Sequence, residues 1–434
     1  MSNSLALAGV LILLIPVLLT GMPIAFSVVL VSLAWMVLTN TDFTNIGSTI
    51  FWFLNKSELV AIPFFILTAE ILGRSRATDC LVSAAEVTVG HLRGGLALVA
   101  MLTTMVFSAI CGSSVATAVA VGRVMIPRMV EAGYRRSFAV GMIAAAGGLG
   151  ILIPPSVPLI IFSTIAEISV ADVFLAAFGP GLLLGAFFCA YVVYLGDRVR
   201  DGKVDRLHKP SSQERRQTVL RAAPVLALPV FIMGGIYSGV FTPTESAAVS
   251  TLYAAVLALT VYRKADAPGL MRISAESATV ASSILLIMTA TSILSYIITL
   301  NQIPLHFKNY VTGLGLSKYE LLFAINILLL FLGCFLEIIS VILITVPILL
   351  PILRELDINL IHFAIIITVN MELGVITPPI GMNLYAISAI SKTPTAEVLR
   401  GTLPFMLIML AALMLFTYVP SLSLFTLEIA RALK

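Results

Sequence analysis

Charge is scarce in this sequence. Asp, Glu, Lys and Arg make up 11% of its 434 residues, against about 25% in a soluble globular protein. Hydrophobic residues reach 59% and the mean hydropathy is +1.07, which excludes a soluble chain and defines an integral membrane protein. Cysteine is scarce too. Cys80, Cys111, Cys189 and Cys334 are scattered with no Cys-x-x-Cys pair, so neither a disulfide framework nor a zinc site follows. The four histidines are unclustered. There is no His-Glu-x-x-His, no Gly-x-Ser-x-Gly, no Walker loop and no pair of intramembrane aspartates, which argues against ATP hydrolysis and intramembrane proteolysis. No polar stretch is long enough for a separate soluble domain. A net charge of +4 does not suggest a nucleic-acid partner. The first apolar run lacks the basic flank and small-residue site of a cleaved signal, and is expected to be a retained helix.

What is present is organised around Gly147 to Pro158, which reads Gly-Gly-Leu-Gly-Ile-Leu-Ile-Pro-Pro-Ser-Val-Pro inside the uncharged run Phe138 to Ala166. Two consecutive prolines remove two backbone donors and bar a continuous helix. In a bilayer such a break survives only where protein or a water-filled cavity satisfies the freed groups. The stretch has an echo, since Leu149 to Pro155 returns as Leu373 to Pro379, 224 residues later. At that offset Pro127, Pro154, Pro155 and Pro180 fall on Pro351, Pro378, Pro379 and Pro404. Four of the six prolines between positions 127 and 210 therefore coincide, where composition alone gives about 0.3. Two ordinary kinked helices would not produce this register, so the chain is read as a duplication with an interrupted membrane segment in each half.

The apolar stretches suffice for roughly 11 to 13 spans or half-spans. Leu5 to Leu38, broken at Gly21-Met22-Pro23, is either one bent helix or two closely joined ones. Asp42 to Glu58 is a polar interval with interfacial aromatics, and Leu59 to Leu72 a short apolar segment whose Glu70 pairs with Arg74. Gly95 to Gly122 is uncharged and carries Cys111-Gly112-Ser113-Ser114 at its middle. Small polar residues there let helices pack closely. Alternatively they turn a hairpin that enters halfway and returns. Arg123, Arg128, Arg135 and Arg136 follow too soon for two full spans, which favours the hairpin, with Pro127 expected to end its second arm. Between Gly196 and Arg221 eight basic residues face four acids, which places that loop in the cytoplasm. Thr242-Pro243-Thr244-Glu245 has the pattern of a capping box, making Glu245 structural. Plain spans are expected at Phe174 to Leu195, Ala222 to Ser238, Glu245 to Tyr262, Thr279 to Leu300 and Leu403 to Leu427.

Two broken segments at equivalent places have a chemical use. Unwound carbonyls coordinate Na⁺ or H⁺, while half-helix N-termini face an anion. Gly150 and Gly374 let the backbone turn, the Pro-Pro pairs leave carbonyls without a helical donor, and Thr377 adds a hydroxyl. Ser113, Ser114 and Thr117 lie where a half-helix would begin, and Asn383 lies four residues beyond Pro379 in the other copy. These residues are expected to line one midplane cavity for an organic anion. Glu337 and Glu372 are either buried functional carboxylates or interfacial ones.

Ile62-Pro63-Phe64-Phe65, Cys111 to Thr117, Ile126 to Met129 with Gly133-Tyr134, Ile153 to Ser156, Phe241 to Glu245 and Ile376 to Gly381 occur in order along nearly the whole chain. Together they resemble the large membrane subunit of tripartite ATP-independent periplasmic (TRAP) transporters. The resemblance implies an all-α polytopic membrane protein of inverted repeats, with two re-entrant hairpins and broken helices working as an elevator. It implies Na⁺-driven uptake of a small organic acid in the bacterial inner membrane, with a periplasmic substrate-binding protein and a small four-helix membrane subunit as partners. It implies one Na⁺ site at Cys111, Gly150, Ile153 and Pro155, and a second at Gly333, Gly374, Thr377 and Ile380. The substrate would lie near Ser113, Ser114, Thr117, Pro154, Pro378 and Asn383. The family commonly has Ser at the position of Cys111; a carbonyl ligand there survives the change and a hydroxyl ligand does not. The implied organisation is a scaffold at 1–90, a first transport repeat at 91–195, the basic loop at 196–221, further scaffold at 222–318 and a second repeat at 319–434. A stand-alone Na⁺/dicarboxylate carrier of similar duplicated design is the alternative.

Overall fold

The computed structural model describes residues 16–17, 20–199, 209–262, 266–313 and 315–432. Much of the first apolar run, with Arg200, Lys203, Arg206, Arg263 and Lys264, lies outside them. Among the described residues the fold is helical, and seven helices are long and apolar enough to cross a membrane, or up to eight if one bent pair forms a span.

Helices α1 (Ile24–Leu38), α2 (Ile46–Leu54), α3 (Ala61–Arg74) and α4 (Ala77–Val89) come first. The polar interval after α1 thus holds a helix, α2, whose Phe51 and Trp52 are exposed. The chain bends by 64° between α2 and the segment Ser57–Arg74. Helices α5 (Gly95–Cys111) and α6 (Ser114–Glu131) form the expected hairpin around Gly112, which adopts the left-handed conformation (φ +60°). Pro127 does not end α6, which runs on to Glu131. A single proline removes one donor, and here it is absorbed within the last turns.

The uncharged run that follows is broken into α7 (Arg136–Gly147), a short α8 (Leu149–Leu152) and α9 (Val157–Ala166), and then α10 (Val170–Leu195) runs uninterrupted. Helix α11 (Ser212–Tyr237) starts ten residues before the expected Ala222, because Ser211 caps it by accepting from the Glu214 N–H at 3.2 Å. Helix α12 (Pro243–Val256) opens on the complete capping box of Thr242 and Glu245, and α13 (Ala267–Leu300) extends well before Thr279. Helix α14 (Ile303–Gly313) follows, and the second copy comprises α15 (Lys318–Gly333), α16 (Ile338–Glu355), α17 (Leu360–Gly374), α18 (Met382–Ser391), α19 (Thr395–Tyr418) and α20 (Pro420–Ala432).

The duplication is legible in the helix bounds. Moved by 224 positions, Ser114–Glu131 becomes 338–355, the bounds of α16. Both Pro-Pro peptide bonds are cis. Three apolar spans, α11, α12 and α13, separate the copies. An odd number of crossings starts the second copy from the opposite face, so the repeats are inverted. Each copy also packs its distal half-helix on the other's hairpin, α9 against α16 and α18 against α6. Around this interlocked unit, α13 packs against α1, α2 and α3, and α12 against α3.

Candidate functional site

Side-chain contacts fix the base of the first hairpin. Tyr134 donates its hydroxyl to the Gly94 carbonyl at 2.8 Å, closing the hairpin, and Arg128 pairs with Glu86 of α4 at 2.9 Å. The Arg135 N–H donates to the Val199 carbonyl at 3.0 Å, setting this base beside the basic loop. From there α5 and α6 converge on their tip at Gly112–Ser113, and the tip sits on the first break. A Cβ on Gly112 would come within 2.6 Å of the Pro155 carbonyl oxygen. One on Gly150 would approach the Ser113 carbonyl oxygen to 2.7 Å and Thr117 Oγ1 to 2.9 Å. Backbone oxygens of hairpin and break are thereby brought together, and only glycine permits it.

Gly112, next to Cys111, thus meets Pro155, Gly150 meets Ser113, and Ile153 is buried beside Gly181 of α10. Cys111 closes α5, where carbonyls lack intrahelical donors, so a backbone oxygen is available whatever the side chain. Thr117 Oγ1 is buried without a hydrogen-bond partner and faces this break. These neutral oxygens fit a hard alkali cation.

The second tip is built alike. Gly333 and Gly374 touch backbone to backbone, with a Cβ on Gly374 only 2.9 Å from Gly333 Cα. The Ile380 N–H donates to the Cys334 carbonyl at 3.2 Å, and Thr377 Oγ1 donates to the Leu373 carbonyl at 2.6 Å, keeping its lone pairs. The two breaks differ in cover. Pro154 and Pro155 are buried, whereas Pro378 and Pro379 are exposed and Ile380 is 43% exposed.

The second broken helix meets the first hairpin tip. Asn383 donates to Ser114 Oγ at 2.7 Å and to the Ala144 carbonyl at 3.1 Å. A cavity of about 160 Å³ beside this contact is lined by Ser113, Ser114, Glu70, Glu337 and Met382. Through Ala69, Glu70, Cys111 and Ala116 it shares a wall with a larger cavity of about 480 Å³ that reaches Arg74, Asp79 and Arg123. Of the residues assigned to substrate, Ser113 and Ser114 line the smaller cavity. Asn383 touches Ser114 from behind, Thr117 faces the first break, and Pro154 and Pro378 line neither cavity.

Glu337 immediately precedes α16, its side chain makes no capping hydrogen bond, and it stands in the cavity wall at the position equivalent to Ser113, since 113 plus 224 is 337. The proline register held that signal. Glu70 pairs with Arg74 at 3.0 Å, as expected, but also lines both cavities. A buried chain in the second copy escaped the sequence reading altogether. Asn370 donates to both the carbonyl and Oδ1 of Asn326 at 2.9 Å, and Asn326 donates to Thr417 Oγ1 at 2.9 Å.

Inverted repeats, two hairpins and a cavity lined by residues of both define a secondary-transporter fold. The sequence matches the family model for the DctM component of tripartite ATP-independent periplasmic transporters over residues 11–422, and the chain belongs to that family. It is a multi-pass protein of the bacterial inner membrane and a transport permease, which is not an enzyme class. The C4-dicarboxylate TRAP transporter large permease protein DctM of Pseudomonas aeruginosa is 42% identical over 366 residues, covering 84% of this chain and 85% of the relative. The sialic acid TRAP transporter large permease protein SiaM of Vibrio cholerae is 34% identical over 412 residues, with 93% and 94% covered. The crystal structure of the Alcanivorax borkumensis YdaH transporter superposes with a TM-score of 0.60 at 13% identity, covering 86% and 87% of the two chains, a likeness of fold alone.

Proposed function

We propose that this chain is the large permease subunit of a Na⁺-coupled, binding-protein-dependent transporter that takes up a small organic acid. It works with a periplasmic substrate-binding protein and a small four-helix membrane subunit. The observation that carries the reading is the contact of Asn383 in the second broken helix with Ser114 at the first hairpin tip, beside a cavity lined by residues of both hairpins. The α6 helix begins at that cavity with unpaired N–H groups, which suits a carboxylate without a buried arginine. Relatives named for a C4-dicarboxylate and for sialic acid support an organic acid as cargo.

The oxygens gathered at Cys111, Gly150 and Pro155, and at Gly333, Gly374 and Thr377, bind the coupling Na⁺. The mobile unit comprises 91–195 and 319–434, and it slides past a frame formed by 1–90 and 222–318. The interlocked packing of α9 on α16 and α18 on α6 supports movement as one body. With the basic loop in the cytoplasm, the larger cavity beside Arg74 and Arg123 is the cytoplasmic route from the tips.

Reconstitution in proteoliposomes tests this. Uptake is expected to need an inward Na⁺ gradient, the binding protein and the small subunit together. Transport by this chain alone would instead identify a stand-alone carrier.

A further inference from the structure

Glu372 is 0% exposed, its carboxylate has no side-chain hydrogen-bond partner, and the backbone N–H it faces is that of Ile151 in the first break. Among the described residues it has no ion pair. An isolated carboxylate so buried is costly unless a cation compensates it. Its place is set by the duplication, because 148 plus 224 is 372 and Gly148 is the residue it touches. A Cβ on Gly148 would overlap Glu372 Oε2. Equivalent positions of the two copies thus face each other on the pseudo-twofold axis, where one copy is reduced to glycine and the other fills the space with a carboxylate. A leucine or methionine would fill it without the desolvation cost, so packing alone does not account for the charge.

Both candidate cation sites follow this position closely along the chain. Gly148 lies two residues before Gly150 in the first break, and Glu372 lies two residues before Gly374 in the second. The other oxygens assembled at each site are neutral carbonyls and hydroxyls. Two cations held only by neutral oxygens in a low-dielectric interior repel each other, and a carboxylate between them lowers the cost of each. We propose that the Glu372 carboxylate supplies the negative charge shared by the two alkali-cation sites of this chain. The inference rests on the Na⁺-coupled reading above and adds the residue that makes two neighbouring sites compatible.

The test is Na⁺-dependent thermal stabilisation of the purified membrane complex in lipid nanodiscs, with choline holding ionic strength constant. Wild-type protein should show a saturable rise in Tm specific to Na⁺. Glu372→Gln, which keeps the shape and removes the charge, should raise the half-saturating Na⁺ concentration at least about tenfold, or about 1.4 kcal/mol. Without Na⁺ its Tm should be no lower than that of wild type, because an uncompensated charge has been removed. Glu372→Asp should fall between the two. A responding wild type with a superimposable Glu372→Gln curve overturns this inference alone. So does a Glu372→Gln protein that unfolds in choline while wild type does not, since the carboxylate is then structural. A wild type indifferent to Na⁺ removes the coupled reading and this inference together.

Discussion

Asn383 of the second copy donates its side-chain amide to Ser114 of the first at 2.7 Å, across 269 residues of sequence. Its other acceptor is the Ala144 carbonyl in α7, so one side chain ties α18 to both the hairpin and the broken helix of the opposite repeat. Helix α18 and the first hairpin tip cannot move far apart without breaking this contact.

The cavity beside that contact should be readable by cysteine chemistry. In a background lacking the native cysteines, Ser113→Cys should react with a small water-soluble thiol reagent, and substrate should slow the reaction. Asn383→Cys should stay unreactive, because Asn383 is fully buried behind Ser114. Rapid labelling at 383 with none at 113 would place the water-filled space elsewhere.

Thr377→Val keeps the shape of the side chain while removing an oxygen whose proton is already directed at the Leu373 carbonyl. A lost neutral contact is worth about 1 kcal/mol, so the half-saturating Na⁺ concentration for uptake should rise about fivefold with little change in expression. An unchanged Na⁺ dependence means that the hydroxyl is not a ligand.

Gly150→Val should abolish uptake. A Cβ at Gly150 would lie 2.7 Å from the Ser113 carbonyl oxygen, so the break and the hairpin tip could not both keep their positions. Initial rates in proteoliposomes, normalised to purified protein, measure the effect. Wild-type rates would mean that the tip need not rest on the break.

Removing Asn326 should destabilise the second repeat rather than change its chemistry. Asn326→Leu takes the Oδ1 acceptor from Asn370, leaving it only the main-chain carbonyl of residue 326, and takes the donor from Thr417, whose hydroxyl still donates to the Leu413 carbonyl. A cost of about 1–3 kcal/mol is expected, read as a lower midpoint of thermal unfolding in detergent. Replacing Asn370 as well should recover part of the loss, because a partner removed leaves nothing unsatisfied.

Several features were legible because their causes are local. The Thr242–Glu245 capping box, the Glu70–Arg74 pair four residues apart on one helix, and the turn at Gly112 all depend on neighbours in sequence. Helix ends were less legible. The sequence around Pro127 predicts a terminus, yet α6 passes through it. The polar chain from Asn370 to Thr417 had no signal, since three helices far apart in sequence must first pack together.

The sequence by itself determined that this is a duplicated membrane protein with one broken segment per copy. Proline forbids a helical donor wherever it stands, scarce charge confines the chain to a bilayer, and neither effect needs a fold to act. The parity of the intervening spans follows from the same hydropathy. Only the tertiary structure decided where the two carboxylates of the second copy go. Glu337 and Glu372 both sit at the edges of apolar runs, yet one stands in the cavity wall and the other is buried against Gly148. A fixed offset names equivalent residues, but which equivalents touch depends on how the two copies pack about their common axis.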